Sequence, residues 1–185
     1  MLLLIVTGGI GLLAAFILAA DKVQLLEDKL AGREPVFACN LNAFVNCGNV
    51  MDSPQSSVFG FPNAFLGVVG FSVVLTLGVA WAAGAPSRGW IWAGLQTGTM
   101  FGIGLVTWLQ YQSIYVIGSL CPYCMVVWAV MIPLFVAVTA RTLRDVAPNA
   151  AISRFASNWT VLIVALWYIA VAAAIWFHFG TRLWA

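Results

Sequence analysis

The sequence predicts an all-α integral membrane protein with five transmembrane helices, and three observations predict it. Of 185 residues, 63% are apolar and only 8% charged, with a mean hydropathy of +1.00. Soluble domains carry roughly 45–50% apolar and about 25% charged residues. The apolar residues come in blocks of helix length, not as the alternation of an outer-membrane barrel. No block has a charged side chain between its ends, as expected where burying a charge costs several kcal/mol. Eight basic and six acidic side chains cannot cover a water-facing surface. A soluble enzyme, a disordered chain and a secreted disulfide scaffold are thereby excluded. The formal charge of +2 is too small and too dispersed for nucleic-acid binding. Residues 1–185 are expected to form one domain.

The expected spans are Leu2–Ala20, Phe61–Ala83, Trp90–Ile117, Cys121–Ala140 and Trp159–Phe179. Each is near the ~20 apolar residues that a bilayer core requires. The first begins at Met1 without a basic flank and continues into a helical Lys22–Leu30 stretch. That continuation favours a retained span over a signal peptide, although Leu18-Ala19-Ala20 weakly resembles a cleavage site. The third is long enough to tilt or to extend past the hydrocarbon. Its Gly94, Gly98 and Gly102, four apart, form a small-residue groove read as a site of close helix packing. Nine Trp and 12 Phe suit interfacial belts and ring-lined pockets.

The connections set the orientation. The Asp21–Gly60 loop has five acids (Asp21, Glu27, Asp28, Glu34, Asp52) against three bases (Lys22, Lys29, Arg33). Arg88 occupies the turn after span two. Arg141, Arg144 and Arg154 outnumber Asp145 in the loop after span four. The positive-inside rule puts these Arg-bearing connections in the cytoplasm. The N-terminus is then cytoplasmic, and the Asp21–Gly60 loop, the Gly118–Leu120 turn and the C-terminus are outside.

That topology brings Cys39, Cys47, Cys121 and Cys124 to the outer face, the side on which thiol–disulfide chemistry persists. Cys121-Pro122-Tyr123-Cys124 opens span four. Pro122 suits the first helical position, with Cys121 as N-cap and Cys124 about one turn further in on the same face. The helix N-terminus favours a thiolate there, the species that attacks disulfides. A structural zinc site and an inert disulfide network are the competing readings, but the Cys39–Cys47 spacing is wide for a zinc knuckle. The amide-rich, Phe-containing segment around Cys39 and Cys47 suggests a short stretch lying over the bundle. Two pairs on one face, one mobile and one helix-anchored, are what an electron relay needs.

Cys39-x7-Cys47, Ser53 six residues on, Phe59-Gly60-Phe61-Pro62-Asn63 at the start of span two and the CxxC of span four occur in that order. In this the chain resembles the vitamin K epoxide reductase family, especially its bacterial homologues that drive disulfide formation. The DsbB-type membrane oxidoreductases carry their two pairs in the reverse order. The resemblance, which covers spans one to four, implies a four-helix bundle around a quinone, with span five as an extra C-terminal helix. It implies that Cys39 exchanges with a thioredoxin-like (DsbA-like) exported protein and that Cys47 passes electrons to Cys121. Cys124 is then the thiolate beside the quinone, menaquinone or ubiquinone, which serves as electron acceptor. Asn63 matches an amide that hydrogen-bonds a quinone carbonyl, and Ser53 a hydroxyl near the inner pair. Trp128 stands where the vertebrate enzymes have Tyr, which favours quinone reduction over epoxide reduction. The absence of a fused thioredoxin-like domain after span five implies a separate partner. A bacterial inner membrane is the expected location.

Other candidates rest on position alone. Phe65, Tyr111 and Tyr115 are candidate quinone-pocket residues, though for any one of them plain core packing is the better reading. Trp128 could be an interfacial belt residue, Asn63 a helix cap and Ser53 a turn residue. His178 reads as interfacial. Asn158-Trp159-Thr160 matches a glycosylation sequon but falls on the cytoplasmic side. No metal ligand set is assigned. The rival functions are a vitamin K quinone or epoxide reductase, and a non-enzymatic membrane protein using its cysteines for metal or structural bonds.

Overall fold

A computed structural model describes residues 1–33, 37, 39–40, 44–146, 155 and 158–180. Glu34, Asn42 and Arg154 lie outside the described residues. Six α-helices are described: α1 (Leu2–Leu30), α2 (Cys47–Asp52), α3 (Asn63–Ala82), α4 (Gly89–Tyr111), α5 (Pro122–Val146) and α6 (Thr160–Phe179). A 3-10 turn, Pro54–Ser57, follows α2, and a π-helical turn, Gln112–Ile117, extends α4.

Helices α1, α3, α5 and α6 are long and apolar enough to cross a membrane. The fifth expected span is also helical, but Gln96, Thr97, Thr99 and its glycines dilute the apolar character of α4. Helix α1 runs ten residues past the expected end of its span, so much of the Asp21–Gly60 connection is helix.

Small side chains decide the packing of α1 on α3. A Cβ on Gly8 would lie 2.8 Å from the backbone nitrogen of Leu75, and one on Gly11 would lie 2.4 Å from the Phe71 ring. Without a Cβ at these positions the two helices approach closely enough to gain dispersion contacts along their length. The groove expected at Gly94, Gly98 and Gly102 is used differently. A Cβ on Gly94 or Gly98 would meet nothing within 4 Å, and one on Gly102 would meet only the end of Met131. Gly98 and Gly102 instead line a cavity. At the end away from the cysteines, Trp81 and Trp92 stack at 4.4 Å, and the Arg141 guanidinium lies 4.6 Å from the Trp92 ring centroid.

Helix α6 lies on the outside of the bundle, with Phe179 its only buried residue. Pro133 lies inside α5 and has no N–H to donate to the carbonyl of Ala129, four residues earlier. The Tyr168 hydroxyl of α6 donates to that carbonyl. An unmet carbonyl in lipid is costly, so this bond fastens α6 to α5. Tyr168→Phe should destabilise the protein by about 1 kcal/mol, seen as a lower thermal midpoint in detergent. An equal loss in a Pro133→Ala background would break the proposed link.

Candidate functional site

The site is built where the α2 loop meets the start of α5. The Asn46 side chain caps α2, its Oδ1 accepting from Asn49 N at 3.0 Å. Cys47 and Met51, one turn apart on α2, are both buried. The loop is pinned to the chain before α5 by Leu120 N–H to Phe44 O (2.7 Å) and Asn46 N–H to Leu120 O (2.9 Å). Asn49 Nδ2 donates to Ser119 Oγ at 3.2 Å. Gly118 makes the intervening turn in the left-handed region, at φ +68°, which suits a residue without a Cβ.

These bonds put Cys47, two residues after Val45, against Cys121, one residue after Leu120. The two sulfurs are 3.3 Å apart and both residues are fully buried. Cys39 and Cys47 form a disulfide with a Cα–Cα distance of 5.7 Å, while Cys121 and Cys124 are free thiols. The outer pair is anchored as well: Cys47 opens a helix, and Cys39 is buried beside Phe37.

Cys121 precedes α5. Its carbonyl accepts from Met125 N at 3.0 Å, and its Sγ accepts from Cys124 N at 3.4 Å. Of this pair, Cys121 is the thiol that faces Cys47.

Cys124 faces a cavity of about 350 Å³ that Trp128 also lines. Polar groups share the lining: Lys22 of α1, Ser53, Gln55 and Ser56 between α2 and α3, and Asn63 at the start of α3. Apart from Thr99 and Ser113, the remaining wall is apolar, from residues of α1, α3, α4 and α5 such as Phe71, Leu95 and Met131. Asn63 is the first residue of α3 but does not cap it. Its Oδ1 accepts from Val58 N at 3.3 Å and its Nδ2 donates to Gln55 O at 2.7 Å, which leaves one amide hydrogen. Ser53 donates to Val50 O at 2.7 Å and keeps its oxygen as an acceptor.

Three of the expected pocket residues stand elsewhere. Phe65 is 40% exposed and borders a shallow hollow against Phe16 and Val23 of α1. Tyr111 and Tyr115 are exposed and tilt against each other at 5.1 Å, and Tyr115 also meets His178 edge-on. Tyr111 ends α4 and Tyr115 lies in the π-helical turn that follows it. Among the described residues, no group of three or more His, Cys, Asp or Glu could hold a metal ion. Lys22, Gln55 and Ser56 are additions to the expected site. For Lys22 a signal exists: it falls on the inward stripe of α1 with Gly11, Ala15, Leu18 and Leu25.

The sequence model of the vitamin K epoxide reductase family matches residues 2–139, from the start of α1 into α5 and across all four cysteines. No curated protein sequence matches the chain. On the family match, which spans well over half of its length, this chain belongs to the vitamin K epoxide reductase family.

Proposed function

We propose that this protein is a membrane thiol:quinone oxidoreductase that reoxidises a separate thioredoxin-like, DsbA-like exported protein and so drives disulfide formation. The observation that carries this reading is the contact between the two pairs. Cys121 lies 3.3 Å from Cys47 on one side, and its CxxC neighbour Cys124 forms part of the cavity wall on the other.

The cavity fits an isoprenoid quinone. Lys22, Ser53, Gln55, Ser56 and Asn63 share its lining with Cys124, and the largely apolar remainder could take a lipid-soluble tail. Its volume falls within the few hundred Å³ usual for small-molecule sites. Asn63 and Ser53 would orient the ring. A bound quinone supplies a two-electron, two-proton acceptor.

The thiol steps then run in balance. A partner thiolate attacks Cys39, forming a mixed disulfide and freeing Cys47 as a thiolate. Cys47 attacks Cys121 of an oxidised inner pair, which releases Cys124. The partner's second thiol displaces Cys39, and Cys39 attacks Cys47, restoring the outer disulfide and leaving Cys121 and Cys124 reduced. Closing the Cys121–Cys124 bond gives up two electrons and two protons at the cavity wall. With the Arg-rich end inside, the partner side is external, α4 is the fifth crossing, and α6 stands beside the four-helix bundle.

The test is turnover in vesicles. Protein reconstituted with menaquinone or ubiquinone should oxidise a reduced thioredoxin-like protein catalytically, followed by loss of free thiols. Failure with every such substrate overturns the reading. Turnover of vitamin K epoxide with thiols instead would identify the protein as an epoxide reductase.

A further inference from the structure

We propose that Lys22 is the cationic contact of the cavity, holding the ring oxygen of a quinone that gains negative charge as electrons arrive. The inference rests on the reading of the cavity as a quinone site. Lys22 and Cys124 are the only titratable side chains lining it among the described residues. Lys22 is 8% exposed and continues the stripe of α1 that faces the bundle.

Its ammonium donates to the Met51 carbonyl and to Ser56 Oγ, the latter at 2.9 Å. Both acceptors are neutral. An ammonium has three N–H groups, so one remains beyond these two bonds. Of the nearby carboxylates, Asp52 pairs with Lys29 and Asp28 with Arg33, and Asp21 forms no ion pair with Lys22. Among the described residues Lys22 makes no ion pair.

A buried cation whose hydrogen-bond acceptors are both neutral, and whose nearby carboxylate Asp52 acts on it only through space while paired with Lys29, is incompletely compensated. Negative charge on a ligand in the same cavity would supply the missing counter-charge. The preference is selective, because a neutral ring gains one hydrogen bond, whereas a charged oxygen gains that bond and the Coulomb attraction. Lys22 would therefore favour the ligand more strongly as it takes up electrons.

Lys22 also ties α1 to the loop that carries Cys47, so the test must separate charge from scaffolding. Two ligands of nearly equal size do this: neutral 1,4-naphthoquinone, and 2-hydroxy-1,4-naphthoquinone, an anion at neutral pH. Binding to the full chain in nanodiscs is read by quenching of tryptophan fluorescence. Wild-type protein should bind the anion at least as tightly as the neutral ring. Lys22→Gln should weaken the anion about tenfold, which is ~1.4 kcal/mol. It should weaken the neutral ring by less than about twofold, and Lys22→Arg should keep the wild-type preference. Equal loss of both ligands, or no change in either, overturns the role of Lys22. Wild-type protein that binds the neutral ring but rejects the anion overturns it without any variant. Wild-type protein that binds neither overturns the quinone reading as well.

Discussion

Replacing Cys121 by alanine should abolish turnover while sparing one stoichiometric exchange at the outer pair. Cys121 is the residue whose sulfur lies within contact distance of Cys47, at 3.3 Å. The Cys39–Cys47 disulfide is independent of it, so a reduced thioredoxin-like protein should still open that bond once. With no Cys121, Cys47 has no acceptor for its electrons. Rapid mixing should show one equivalent of partner oxidised per chain, then a plateau at least about 10³-fold below the wild-type rate, as expected when the sulfur that accepts the exchange is removed. Sustained turnover of this variant with quinone would remove Cys121 from the route.

The companion variant makes the contact visible. With Cys39 and Cys124 both replaced by alanine, only Cys47 and Cys121 remain. Their sulfurs need to move by little more than 1 Å to reach the ~2.05 Å of a bond. Mild oxidation should therefore give one intramolecular disulfide almost quantitatively.

How much of the fold and site is legible in the sequence depends on whether a feature is local. The Cys121–Cys124 helix start can be read because Pro122 and the two cysteines act within one turn. The expected bundle helices α1, α3 and α5 come from apolar runs that no charge interrupts. The contact of Cys47 with Cys121 is different. It depends on the pairing of Val45 with Leu120, two short segments far apart in the chain, and no periodicity marks them. Tyr111 and Tyr115 are candidates by position alone, and position in the chain does not show which way a ring at the end of α4 turns. Gly94 and Gly98 look like a packing groove, yet a Cβ on either meets no neighbour. Glycine spacing marks where backbones can approach, not where a neighbour stands. Lys22 reads only as a loop charge until its place on the α1 stripe is traced through the numbering.

The second large effect concerns Gly11, where packing and the site are joined. A Cβ there would lie 2.4 Å from the ring of Phe71. Phe71 is buried and itself lines the cavity, as do Ala15 and Leu18 further along α1. Gly11→Leu must therefore part α1 from α3 or drive the Phe71 ring aside. Overpacking of this kind costs about 3 kcal/mol. Because the ring is cavity wall, affinity for 1,4-naphthoquinone should fall together with the thermal midpoint. Gly9→Leu supplies the control: it adds the same side chain two residues away, where a Cβ meets nothing within 4 Å, and should change neither quantity. Adding Phe71→Ala to Gly11→Leu makes room and should recover part of the stability, since neighbours sharing one space are not additive. The recovered protein should still bind the quinone weakly, because the wall contact made by Phe71 is gone. Full recovery of binding in the double variant would show that Phe71 forms no part of the quinone's wall.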